Sequence, residues 1–363
     1  MRGSAISRSF VHDNVAGRVL LRPGALNAVA DETRRLGDRA FLIATTHAKP
    51  YADRVADDLG RALVGRIDGV VMHVPASVAE AAVAQTQRAD ADVVVAIGGG
   101  SSIGLAKAVA RETGLPILAV PTTYSGSEMT PIWGLTEGGR KTTGRDPQVL
   151  PRTVVYDPEL TTTLPADISA ASGMNALAHC VEGLYSPAAS PVTSLLAEEG
   201  IRALVGALPK VVAAPIDLEA RSEALYGSWL AGWVLGTAAM GVHHKICHVL
   251  GGTYGLAHAA THSAVLPYAV AYNSAWAQDA MRRVASAMGT EDAASGLWEL
   301  ARRIGAPTSL AAVGFNADDA DEAARIVTER PFDNPRPVDT QSVRELLLAA
   351  NRGDAPRDAA TST

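Results

Sequence analysis

The sequence predicts an α/β N-terminal domain on a parallel sheet followed by an all-α C-terminal domain, and three observations predict it. Short β-branched runs alternate with helical patterns up to about residue 160. The pattern then turns helical throughout. The length, 363 residues, exceeds what one core usually serves.

In order, residues 40–44, 70–74, 92–97, 116–120 and 153–156 read as buried strands, and 51–62, 79–88 and 103–111 carry apolar residues at helical spacing. Such alternation implies parallel pairing with helices on the faces, a Rossmann-like sheet. After Asp157, residues 168–184, 191–205, 218–235, 243–250 and 275–304 are rich in Ala, Leu and charged residues at helical spacing. Residues 157–164, with Pro158 and three threonines, form the expected joint. The predicted division is 1–158, 159–352 and a disordered polar tail, 353–363.

Composition excludes several functions. With 47% apolar and 19% charged residues the chain has material for large cores and no sign of extended disorder. A net charge of -6 argues against a nucleic-acid binder. No apolar run approaches the ~20 residues that cross a bilayer, and residues 1–10 lack the apolar core of an export signal. Only Cys180 and Cys247 are present, which suits a reducing cytoplasm better than a disulfide between them.

Two loops could meet a ligand. The strand at 92–97 runs into Gly98, Gly99, Gly100, Ser101 and Ser102 and then into a helix. Glycines let the backbone approach a diphosphate, and helix N-terminal amides attract its charge; a tight structural turn would use the same residues. The next strand ends in Pro121, Thr122, Thr123, Tyr124, Ser125, Gly126, Ser127 and Glu128, at the same carboxyl edge. Ser/Thr turns and caps are the plainer account of that loop.

Histidines mark the helical half. Asn175 and His179 are four apart and share a helix face, His244 and His248 repeat the spacing, and His258 follows a Gly251–Gly252 pair; His243 and His262 lie in the same stretch. A lone helical histidine is usually a packing residue, but two such pairs point to a site. Lys245 beside His244 adds positive charge that would repel a divalent cation and attract a carboxylate. Asn175 stands where a metal site would want an aspartate. The cluster therefore reads as an anion pocket, with no metal expected.

The motifs GGGSSIGLAKA (98–108), PTTYSGSEMTPIWG (121–134), KTTGRDPQVLPRTVVYDPELT (141–161), SGMNALAHCVEGLY (172–185) and HHKICHVLGGTYGLAH (243–258) span nearly the whole chain. In this order they resemble the iron-containing alcohol dehydrogenase superfamily, whose fold is also that of dehydroquinate synthase, and within it they are similar to the branch that reduces maleylacetate. The resemblance implies that metal-dependent members hold their ion at the places of Asn175, His179, His244 and His258, with His248 a further active-site histidine. It implies that Gly98 to Ser102 hold the cofactor diphosphate, that Thr122, Thr123 and Ser127 line the nicotinamide pocket, and that Lys141 approaches the cofactor. Where NAD-selective relatives place an aspartate after the second strand, Thr45 and Thr46 stand here, so NADH is expected and NADPH is not repelled. The implied reaction is reduction of the double bond of an unsaturated dicarboxylate in aromatic-compound degradation, by a cytoplasmic homodimer. The implied alternatives are a metal-dependent alcohol or polyol dehydrogenase and a dehydroquinate synthase-like lyase; a nucleotide-binding module without catalysis would leave the histidine pairs idle.

Overall fold

A computed structural model describes residues 17–70, 75–137 and 140–356. Its first half runs β1 (Arg18–Leu21), α1 (Val29–Arg34), β2 (Ala40–Ala44), α2 (Lys49–Leu59), β3 (Leu63–Ile67), α3 (Ala76–Arg88), β4 (Val93–Gly98), α4 (Gly100–Thr113), β5 (Ile117–Pro121), the hairpin of β6 (Ile132–Glu137) and β7 (Arg140–Arg145), and β8 (Thr153–Tyr156). Six strands form one sheet in the order β1-β8-β5-β4-β2-β3, every neighbouring pair parallel. Both faces of this sheet are covered, so its central strands are continuous apolar runs rather than alternating ones. Val93, Val95 and Ile97 pack with Leu42, Leu118 and Val55 of α2. Their neighbours Val94 and Ala96 face the other way, toward α4 and the helical half.

The chain leaves β2 toward β3 at one edge of the sheet and leaves β4 in the opposite direction, toward β5. The carboxyl ends of β2 and β4 therefore flank the point where the winding reverses, the place at which open α/β sheets bind ligands.

The second half is helical: α5 (Ala166–Tyr185), α6 (Pro191–Ala213), α7 (Leu218–Thr237), α8 (Val242–Tyr254), α9 (His258–Asn273), α10 (Gln278–Met288), α11 (Ala293–Arg303), α12 (Ala320–Thr328) and α13 (Thr340–Arg352). Starts are marked by side chains that accept from otherwise unpaired amides: Ser190 from Thr193 N, and Asp217 from Glu219 N and Ala220 N. Helices α5 to α7 bury their apolar faces in the same core as Val94, Ala96 and Ile117 of the sheet. Helices α8, α9, α12 and α13 enclose a second core around Ile246, Tyr268 and Leu347.

One buried cation fastens the two halves. Arg221 of α7 is fully buried and donates to Tyr124 Oη (3.0 Å), Ser169 Oγ (2.8 Å) and the carbonyls of Pro215 (2.9 Å) and Leu164 (3.1 Å). Tyr124 belongs to the loop after β5. Asp157, in the expected joint, accepts from Gly24 N (3.1 Å) and Leu26 N (2.9 Å), turning the chain back onto its beginning.

The strands read at 40–44, 92–97, 116–120 and 153–156 match β2, β4, β5 and β8. The strand read at 70–74 falls mostly outside the described residues, and β3 sits earlier, directly after the helix read at 51–62. The single helix read over 275–304 is two, because Asp292 accepts from Ser295 N and starts α11 afresh. In the predicted tail, residues 357–363 lie outside the described residues, while the Gly353 and Asp354 carbonyls accept from Trp298 Nε1 (3.1 Å) and Tyr268 Oη (2.8 Å). Among the described residues no helix is long and apolar enough to cross a membrane. Cys180 and Cys247 are both free and buried.

Candidate active site

The glycine turn is built where β4 ends. Gly98 has φ +138°, and a methyl there would stand 2.6 Å from Thr45 Oγ1 and 2.7 Å from Ser102 Oγ, so only glycine fits. Thr45 and Thr46 follow β2, the strand beside β4, so the threonines and the glycine turn share one end of the sheet. Gly99 precedes α4, and Gly100, Ser101 and Ser102 form its first turn; Ser102 Oγ donates to the Gly99 carbonyl (3.0 Å).

The second loop lies alongside. Thr122 N donates to the Gly98 carbonyl (3.1 Å), and a methyl on Gly99 would touch Thr123 Cγ2 at 3.1 Å. Ser127 lies on a short turn whose carbonyl accepts from Lys107 Nζ. Sequence reasoning singled out no role for Ser125. Its hydroxyl is buried without a partner and would stand 3.9 Å from a methyl on Gly100, at the head of α4. The backbone of Lys141 lies in β7; its side chain falls outside the described residues.

Gly126, at φ +75°, joins this loop to the helical half. A methyl there would meet Gly232 Cα of α7 at 2.9 Å and His179 Nδ1 at 3.5 Å. The loop after β5 is thus in contact with the histidine cluster.

That cluster holds six imidazoles from three helices. His179 of α5 lies 5.2 Å from His244 of α8, ring centre to ring centre; His244 lies 5.0 Å from His243 and 4.8 Å from His262 of α9; His258 is 4.2 Å from His262 and 6.4 Å from His248, nearly parallel to it. His179, His243, His244 and His262 are buried and form a floor, whereas His248 and His258 are exposed and form its rim. Asn175, one turn before His179, is buried with an unpartnered Oδ1. Lys245 is half-buried and places its ammonium 5.9 Å from the Phe332 ring centre. It is not among the groups that shift the floor imidazoles.

Sequence reasoning missed Glu182. Fully buried, it accepts His244 Nδ1 at 2.6 Å, His243 N at 3.1 Å, His244 N at 3.3 Å and Tyr185 Oη at 2.8 Å. These bonds assign the tautomers. His243 Nε2 faces the His262 carbonyl (3.1 Å) and must donate, so its Nδ1 is an acceptor, 3.3 Å from His244 Nδ1. His244 Nδ1 therefore carries the proton, directed at Glu182, and its Nε2 is a bare lone pair, buried and unpartnered.

Burial, reinforced by the neighbouring imidazoles, holds His179, His244 and His262 well below the usual histidine range, and burial draws His243 down to about 4. All four are neutral at pH 7. Each is a base whose folded pKa lies below the unfolded 6.5, so below that pH the unfolded chain binds more protons than the folded one. Stability is whole above pH 6.5 and drains as pH falls, across 6.5 to about 4 for His243 and further for the others. In metal-free protein we expect a loss between pH 7 and 4 of ~3 kcal/mol from His243 alone. Urea melts at pH 7 and 4.5 read it; equal midpoints would contradict it.

Neutral imidazoles with bare nitrogens, backed by a carboxylate, make a cation site. Among the described residues His243, His244 and His262 have ligand atoms within 4.8 Å of one another, and His179 Nδ1, His244 Nε2 and Asn175 Oδ1 are unpartnered. This donor set fits a borderline divalent ion.

Known proteins bear on this directly. The iron-containing alcohol dehydrogenase family matches residues 16–158, and the C-terminal part of the Fe-containing alcohol dehydrogenase family matches 169–351. The chain is 50% identical to the maleylacetate reductase of Sphingobium indicum, over 96% of this chain and 99% of that protein. The crystal structure of the maleylacetate reductase from Agrobacterium tumefaciens superposes with a TM-score of 0.93 at 45% identity, covering 96% of this chain and all of that one. An iron-containing alcohol dehydrogenase from Corynebacterium glutamicum gives 0.92 at 48%, covering 96% and 99%. The expectation of a site without a metal is thereby corrected, since the matching families are iron-containing ones. That expectation weighed the missing aspartate at Asn175 and the charge of Lys245. The anionic charge comes instead from Glu182, behind His244, and Lys245 turns toward Phe332.

Proposed function

The chain belongs to the iron-containing alcohol dehydrogenase family, and from that premise we propose that it is an NAD(P)H-dependent maleylacetate reductase, saturating the carbon–carbon double bond to give 3-oxoadipate. The observation that carries this reading is the likeness, along nearly the whole chain, to enzymes of that name. Residues 1–158 would bind the dinucleotide and 159–352 would carry the chemistry, with Gly98 to Ser102 on the diphosphate, Thr45 and Thr46 toward the adenosine ribose, and Thr122, Thr123 and Ser127 beside the nicotinamide.

Maleylacetate is an enone carrying two carboxylates. Reduction adds hydride to the carbon β to the ketone, and the resulting enolate must be stabilised until the α-carbon is protonated. When bound, reduced nicotinamide supplies that hydride from its C4, and a divalent ion held by His179, His244, His258 and Asn175 supplies Lewis-acid stabilisation of the enolate oxygen. Glu182 holds the His244 proton at Nδ1 and so leaves Nε2 as a bare lone pair that would be free to serve as a ligand. Neutral His244 cannot donate through Nε2, so proton delivery falls to the rim, where His248 faces solvent outside the ligand set; a positioned acid is worth ~100-fold or more. The buried floor keeps water from the enolate side.

The reading is supported further by two free thiols, which suit the cytoplasm, and by exposed Leu195 and Ile216, which suit a homodimer. Mixing purified protein, NADH and maleylacetate tests the activity: reduced-cofactor absorbance should fall in step with 3-oxoadipate formed. A lyase would show no net cofactor consumption, and that outcome would sink the proposal. Light scattering on the same sample reads the dimer, and a monomer would remove that part.

A further inference from the structure

Lys107 lies in the second turn of α4 with 1% of its surface exposed. Its Nζ donates to the carbonyls of Ser127 (2.6 Å), Thr130 (2.8 Å) and Ile132 (2.8 Å) and to Thr130 Oγ1 (2.9 Å), with Ser127 Oγ at 3.4 Å. Among the described residues it forms no ion pair with a carboxylate. The Glu128 carboxyl is buried nearby and accepts from Tyr156 Oη (2.8 Å) instead. Burial draws the Lys107 ammonium down to about 7, against the pull of Glu128, while the surrounding oxygens favour its protonated form.

A buried ammonium inside a cage of oxygens is costly unless every proton is used. Here they are used to hold one segment. Helix α4 begins at the glycine turn that the diphosphate would occupy, and Ser127 to Ile132 leads out of the loop that would line the nicotinamide. Lys107 spans the two from within the protein interior, with its ammonium spent on Ser127, Thr130 and Ile132.

Resting on the maleylacetate reductase reading, we propose that Lys107 is a positioning residue: an internal cation whose oxygen cage fixes the nicotinamide-side loop to the diphosphate helix, so that it governs hydride transfer rather than cofactor affinity. The cage should also accept a small alkylammonium ion in its place. Truncation as Lys107→Ala leaves a channel the length of n-propylammonium, which carries the same three N–H donors. Tetramethylammonium has the charge and no donor.

In Lys107→Ala, NADH affinity measured by fluorescence should stay within about threefold of wild type while kcat falls ~30- to 100-fold, the scale of a small misplacement of reacting groups. Adding n-propylammonium should restore kcat about tenfold, saturably, and tetramethylammonium at equal ionic strength should not. Amide hydrogen exchange at residues 127–132 should quicken in the variant and slow again with n-propylammonium, a readout that needs no turnover. Unchanged kcat, or loss without rescue, overturns the proposal. If wild type itself consumes no NADH with maleylacetate, the functional reading falls, and the exchange data still decide the cage. Should Lys107→Ala not fold, Thr130→Val removes one cage oxygen, and unchanged exchange at 127–132 in that variant overturns the proposal as well.

Discussion

Glu182→Gln should lower kcat/KM for maleylacetate about 100-fold and weaken divalent-ion affinity by roughly 10- to 100-fold, the usual cost of losing the group that orients a ligand histidine. The substitution keeps shape and removes only charge and an acceptor. Glu182 now takes four donors, and an amide brings two N–H bonds into a place where every neighbour is now donating. If the amide nitrogen faces His244, Nδ1 must become the acceptor and the proton moves to Nε2, where it blocks the lone pair aimed into the site. If the amide turns the other way, the His243 amide is stranded in the interior. Metal content by elemental analysis and steady-state kinetics check this; wild-type values of both would refute the assignment of the His244 tautomer.

Gly232→Ala should cut kcat by ~100-fold while melting falls by only a few degrees. A methyl at Gly232 would lie 2.8 Å from the Gly126 carbonyl oxygen, 2.9 Å from Gly126 Cα and 3.0 Å from Met129 Cβ. Two of these neighbours are backbone and cannot rotate aside, so the loop after β5 must retreat from α7, at an overpacking cost of ~1–3 kcal/mol. Retreat carries Gly126 away from His179 and with it the surface proposed for the nicotinamide. Calorimetry beside kinetics separates the two effects. As a control, Gly206→Ala, on the exposed face of α6 with nothing within 4 Å, should leave activity intact. Equal activity in Gly232→Ala would show that the contact between loop and helix is slack.

Much of this site is legible in the sequence wherever a local rule carries it. The glycine turn follows a strand and opens a helix, and the spacing of Asn175 and His179 already places both on one face of α5. What stayed hidden needed tertiary knowledge. His258 and His262 are also four apart, but Pro267 obscures the helix they share, so the spacing alone does not place His262 on its face. Glu182, three residues after His179, looks like any helical glutamate until α8 is packed against it. Nothing local to Lys107 announces that Thr130 and Ile132 will wrap its ammonium. The polar strand β7 lacks the apolar alternation by which a hairpin is recognised. Misjudging the cation preference of the site has the same origin: the charge that decides it sits behind a ligand, not in the ligand list.

The apolar core that runs unbroken from the sheet into α5, α6 and α7 also limits how the molecule can breathe. A jaw-like swing of the two halves would tear that shared interior open to water and strip Arg221 of the acceptors on either side of it. Parting the halves would carry the cost of exposing that shared apolar interior, so a loosening on one side is expected to be felt on the other.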